Sequence, residues 1–214
     1  MTIYKSSPAV RIVGAFAVAL SLAAVVLILK GINERSLAFA LKLTARWSFV
    51  LFWMAYTSGA MRALFGPAFA PLARRGREFG LAYAVAQSIH LGLVILFWIT
   101  FRLPLTGRGL VVFSMGIFWT YLLAFFSFGK LGEFLGSKAW RTLRVAAMNY
   151  SLFAFAIDFV PPLIGHVPNR MNFYLIGYLP FAAMSVAAPL LVFAAATLRP
   201  MEIRYRHTEL QHSA

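Results

Sequence analysis

Cysteine is absent from the 214 residues, which excludes disulfides, thiolate metal sites and iron–sulfur clusters held by cysteine. Charge is scarce, at 12% of residues, and acidic charge is scarcer still, with six Asp and Glu against twenty Lys and Arg. No glycine-rich loop of the Rossmann or P-loop type occurs, so nothing in the chain reads as a dinucleotide or nucleoside triphosphate site. Long polar connections are missing as well. RLPLTGRG, over 102–109, reads as a tight Pro/Gly turn, and no loop is long enough to form a separate domain.

What is present is apolar: 61% of residues are hydrophobic, more than one soluble core could hide. A bilayer core of about 30 Å needs roughly 20 apolar residues at a helical rise of about 1.5 Å. Runs of that kind lie near 12–29, 47–66, 79–101, 110–128, 143–163 and 173–198. The pattern predicts an all-α, integral membrane six-helix bundle over 1–198 and a polar, mobile cytoplasmic tail, RPMEIRYRHTELQHSA, over 199–214. The first run stays apolar for eighteen residues without a polar cleavage region, so it reads as an uncleaved span. Between the first two runs, INERSLAFALKLTAR places Leu37 and Leu41 at helical intervals among basic residues. It reads as an amphipathic turn or two on the surface, or as a plain loop.

Basic residues set the expected orientation. Thirteen Lys and Arg fall on the side of the N-terminus and tail, among them Arg11, Arg74, Arg75 and Arg77, against seven on the other. That excess predicts a bacterial inner-membrane protein with both termini cytoplasmic. The net charge of +14 lies beside membrane spans rather than on a compact basic domain, so it points to membrane lipid and not to nucleic acid.

Polar residues inside the spans mark the candidate site, because hydrocarbon supplies neither hydrogen bonds nor counter-charge. On the third span Tyr83, Gln87 and His90 fall at i, i+4 and i+7, one helical face that should look into the bundle. On the fifth, Arg144, Ala147, Ser151, Ala154 and Asp158 recur at spacings of three or four. Their small middle suits close helix packing or leaves room for a flat ligand such as a porphyrin. Pro161-Pro162 ends that helix, which puts Asp158 either near an interface or in a buried pair. His207 and His212 lie in the polar tail and carry little weight.

Three stretches resemble one family. TARWSFVLFWM (44–54) is similar to a Thr-Gly-Arg-Trp-Ala-Leu opening of helix two. RRGREFGLAYAVAQSIH (74–90) resembles a basic pair, Gly-Leu, an aromatic and then His, with the same spacing of ten from Gly80 to His90. LGSKAWRTLRVAAMNY, ending at Tyr150, is similar to a Trp-x-x-Leu-His-Arg-Leu-x-Tyr entry to helix five. Together they resemble the ferric-reductase-like transmembrane domain family, in particular the heme-binding membrane subunit of the bacterial periplasmic methionine-sulfoxide reductase system. The resemblance spans about 30–165 and is most specific around the third span.

The resemblance implies a b-type heme held between histidines of helices three and five. It also implies electron flow from a quinol or flavin donor towards a periplasmic redox partner. His90 matches the helix-three axial ligand, that is, the iron-binding position if heme is bound. The chain departs elsewhere: Arg144 stands at the family's other helix-five histidine, and Ile157, followed by Asp158, stands at the second axial ligand. The family's Thr-Pro-Leu-Arg is reduced to Gly59, Ala60, Met61 and Arg62.

A heme here would rest on His90 alone, on Met148 or another residue, or on His166 folding back after the prolines. Alternatively the heme is lost, the pocket is closed by side chains, and His90 pairs with Asp158 or bonds near Tyr83 or Gln87. Three functions follow as expectations: a b-type electron relay, a heme-free membrane anchor or lipid- or ligand-binding protein, and a proton- or ion-coupled transporter using His90, Arg144 and Asp158.

Overall fold

The computed structural model describes residues 7–101, 107–127, 134–164 and 171–212. Among them the chain is helical, with helices α1 (Pro8–Lys30), α2 (Glu34–Phe65), α3 (Ala70–Arg74), α4 (Gly76–Phe101), α5 (Gly107–Ser127), α6 (Gly136–Phe159), α7 (Pro161–Ile164) and α8 (Met171–His212). Six segments are long and apolar enough to cross a bilayer: Pro8–Lys30, Glu34–Phe65, Gly76–Phe101, Leu110–Ser127, Gly136–Ile164 and Gly177–Leu198. Each contains or closely matches one of the runs read from the sequence. The protein is an all-α, multi-pass membrane bundle.

Local chemistry sets the helix ends. Ser7 caps α1 by accepting from the Val10 amide at 3.4 Å, with Pro8 at the first helical position. Gly31, at φ +71°, ends α1 in a conformation that a side chain would strain. Asn33 then opens α2 with a capping box: its Oδ1 accepts from the Ser36 amide at 3.0 Å, and its own amide donates to Ser36 Oγ at 3.1 Å. INERSLAFALKLTAR is therefore neither a loop nor a surface-lying turn. From Glu34 onward it forms the first turns of α2, because the cap starts the helix there and Leu37, Ala40 and Thr44 are fully buried.

Val160 and the proline pair end α6 as the sequence predicts. The tail continues as helical backbone from α8 to His212. His166 and residues 102–106 of the RLPLTGRG turn lie outside the described residues.

α2 packs against α1, α4 and α8, while α5 pairs with α6 and α6 with α8. The main core holds Phe49, Phe52, Tyr83, Ala86, Leu152 and Phe159, and a second cluster joins Val26, Leu37 and Leu93. Large apolar side chains such as Ile28, Leu29 and Phe193 lie exposed, as a surface facing hydrocarbon requires.

Without a hydrophobic drive between helices in lipid, polar staples and close packing hold the bundle together. Trp47 Nε1 donates to the Ala15 carbonyl at 3.1 Å and Trp53 Nε1 to that of Met184 at 3.0 Å. Tyr56 Oη donates to Asn149 Oδ1 at 2.7 Å. At the face where α1 begins, Arg11 Nε meets Glu78 Oε2 at 2.6 Å.

Candidate functional site

α2 and α4 run antiparallel and meet along two matched rows of residues spaced by three or four, the spacing of a packed helical seam. At one end of the seam a Cβ on Gly76 would stand 2.8 Å from Ser58 Oγ, and one on Gly80 would lie 4.0 Å from Ala55 Cβ. Further along, the Phe52 and Tyr83 rings meet edge to face at 5.3 Å, and beyond them Thr44 Oγ1 lies 3.0 Å from His90 Nδ1. His90 thus finds its partner on α2. The pairing with Asp158 weighed from the sequence does not form, nor does a bond to Tyr83 or Gln87.

The Thr44 hydroxyl is within hydrogen-bond distance of the Ala40 carbonyl at 3.0 Å and the Leu41 carbonyl at 3.1 Å. With its proton directed there, Thr44 accepts from His90 Nδ1–H, and Nε2 is left with its lone pair.

Tyr83 is buried and bonds outward to α5. Its Oη is 2.9 Å from Thr120 Oγ1, and Thr120 donates to the Gly116 carbonyl at 2.8 Å, so the phenol is the donor in the first contact. Gln87 lies between Tyr83 and His90 on the same face, with Oε1 buried and no hydrogen-bond partner. Ser48 Oγ is in the same state and stands opposite Gln87, one turn from Thr44. The three residues singled out on the third span are thus brought onto one seam with α2.

The fifth-span stripe divides. Ala147, Ser151 and Ala154 are buried, and a Cβ on Gly116 of α5 would touch Ala154 Cβ at 3.6 Å, so the small residues serve helix packing. Arg144 and Asp158 are exposed and sit fourteen residues apart, about 21 Å along the helix, so they do not form one path with His90.

The space between α4 and α6 is filled by rings. Phe155 lies 5.0 Å from Phe49, 5.5 Å from Phe52 and 6.0 Å from Tyr83, while Phe159 lies 5.0 Å from Phe49 and 5.3 Å from Phe181. Ile157 is 39% exposed, facing away from this cluster. Met148 packs against the cluster as an apolar side chain. These residues do not fit a heme held between α4 and α6: aromatic side chains fill the gap, and the position of the second ligand is an outward-facing Ile.

Arg46 falls just outside the apolar run read over 47–66 and is not singled out by the sequence pattern. It lies in the fourth turn of α2, half-buried, with its guanidinium carbon 5.1 Å from the Tyr178 ring centroid and 5.5 Å from that of Phe181. Its Nε is buried with no hydrogen-bond partner. Asp158 and Lys42 are within electrostatic range of each other, and Asp158 and Arg46 likewise. An Arg-Trp at the edge of an apolar run was the available signal. Compared with family models, curated proteins and solved structures, the chain finds no match.

Proposed function

We propose that the chain is a heme-free, multi-pass inner-membrane protein with both termini in the cytoplasm. In this reading it works by binding in the bilayer, as a lipid- or ligand-binding protein or a membrane anchor for a partner. The observation that carries the reading is the block of Phe49, Phe52, Tyr83, Phe155 and Phe159 rings between α4 and α6. Aromatic cores of this kind pack to organic-crystal density, and opening one for a flat macrocycle would sacrifice several ring contacts at once. The cytoplasmic placement is supported by the excess of Lys and Arg beside the face where α1 begins.

A second reading, an electron-relaying b-type heme subunit taking electrons from a quinol or flavin donor, draws on one observation. A ring anchored through Nδ1 is the arrangement a metal-ligating histidine takes, and Thr44 meets His90 at that nitrogen. An absorption spectrum and heme assay on detergent-purified protein separate the two readings. No heme in the wild type and none in His90→Ala supports the heme-free reading; stoichiometric heme that disappears in His90→Ala overturns it.

A further inference from the structure

The strongest unassigned feature is the elbow between α2 and α4. α2 ends at Phe65, Gly66 turns the chain at φ +80°, and a 3-10 turn, Pro67–Phe69, leads into α3, which packs back against α2. α4 then starts at Gly76, close against Ser58. Arg62 stands one turn beyond Ser58 on the same face of α2, about 6 Å along the helix. It therefore lies at the elbow, on the side from which Arg74 and Arg75 lead into α4.

This corner sits at the membrane surface. The 23 residues from Phe79 to Phe101 contain no Asp, Glu, Lys or Arg. At about 1.5 Å per residue they cross the hydrocarbon core by themselves. Arg74 and Arg75 precede that stretch and join one span to the next, and Arg62 lies beyond the level at which α4 begins.

The charge there is one-sided and uncommitted. Arg62, Arg74 and Arg75 are exposed and make no hydrogen bond or ion pair among the described residues. Glu78, the only acidic residue of the elbow and α4, is taken by Arg11 at 2.6 Å. Orientation in the membrane asks only for positive charge, which Lys supplies as well as Arg. From 62 to 77, however, every basic residue is Arg, whose planar fork matches two oxygens of a phosphate. Beside them the Phe65 and Phe69 rings lie 5.6 Å apart, and Phe65 is 56% exposed, an apolar surface at the depth where acyl chains begin.

We infer that Arg62, Arg74 and Arg75 form a headgroup site for an anionic phospholipid. Its phosphate is bound by the guanidinium groups and its acyl chains lie against Phe65. A zwitterionic lipid fits less well, because its ammonium would enter a cluster of cations that no free carboxylate offsets. The inference rests on the lipid-binding form of the reading above.

Native mass spectrometry of the full chain, purified in mild detergent and titrated with phosphatidylglycerol or phosphatidylethanolamine, tests the assignment. Wild type is expected to retain phosphatidylglycerol in preference to phosphatidylethanolamine. Arg74→Gln with Arg75→Gln should weaken phosphatidylglycerol by about tenfold or more, the scale of losing charge-assisted contacts, and Arg62→Gln should add to that loss. Lys138→Gln with Arg141→Gln removes the same charge from the exposed start of α6 and should leave retention near wild type.

An equal loss from the Lys138 and Arg141 pair would show that overall charge is read and not the elbow, and it overturns the site. Unchanged retention when Arg74 and Arg75 are both replaced overturns it as well. Displacement of the lipid by millimolar inorganic phosphate alone would show that the ligand is a free anion, and that outcome overturns the lipid assignment. Lipid retention is read independently of heme content, so failure here leaves the heme-free reading standing, and heme in the protein leaves the lipid result interpretable.

Discussion

Thr44 Oγ1 and His90 Nδ1 stand 3.0 Å apart across the α2–α4 seam, and this contact joins the only two polar side chains that bond directly across that seam among the described residues. It explains how an ionisable ring is kept at membrane depth without a carboxylate. Thr44 is tied to its own helix through the Ala40 and Leu41 carbonyls, so it offers the imidazole an acceptor that is already oriented.

The first prediction concerns that contact. Thr44→Val keeps the shape and removes the acceptor, and His90→Leu removes the donor. Unfolding each single variant and the double variant in mixed micelles should give a coupling of about 0.5–1.5 kcal/mol, the range of interhelical hydrogen bonds in membranes. Strict additivity would show that the two side chains do not interact.

Close approach at Gly76 gives the second. A methyl group there would stand 2.8 Å from Ser58 Oγ, closer than side-chain carbons approach a hydroxyl. Gly76→Ala should therefore lower stability by about 1–3 kcal/mol, as overpacking does. Adding Ser58→Ala removes the clashing atom and should restore most of the loss, a rescue that a general helix-propensity effect at residue 76 would not produce.

The aromatic block gives the third. Phe155 touches four rings of the core, whereas Phe153, on the same helix, is 53% exposed. Phe155→Ala should cost about 3–5 kcal/mol through lost contacts and a residual cavity, and Phe153→Ala far less, since lipid replaces its neighbours. Comparable losses in the two variants would mean that the rings are not packed against one another as described.

The spans were legible because hydropathy is a long-range sum that a single charge does not erase. The start of α2 was not, because Lys42 and Arg46 interrupt the apolar run while the signal that begins the helix, Asn33 with Ser36, is local and weak. The face carrying Tyr83, Gln87 and His90 followed from helical spacing alone. Their partners did not: that Thr44 meets His90 depends on the register between two helices, which spacing within one helix cannot fix. Arg46 was hidden for a related reason, since the rings that hold it come from α8, more than a hundred residues later in the chain.

The register itself supplies the last prediction. Ser48 lies four residues beyond Thr44 and Gln87 three before His90, so the two share the position between the Thr44–His90 contact and the Phe52–Tyr83 contact. Ser48 Oγ and Gln87 Oε1 are both buried without a hydrogen-bond partner, the costliest state for a polar atom. Each orphan carries a desolvation penalty of about 1–3 kcal/mol with no bond to offset it. Removing such an atom while keeping the shape should help rather than harm, so Ser48→Ala and Gln87→Met should leave the unfolding midpoint unchanged or raise it. The pair of substitutions together should add, because no bond between them is lost. A clear drop in either variant, with non-additivity in the double, would show that Ser48 and Gln87 are joined to each other or through a shared partner, making the α2–α4 seam a continuous polar line that reaches His90.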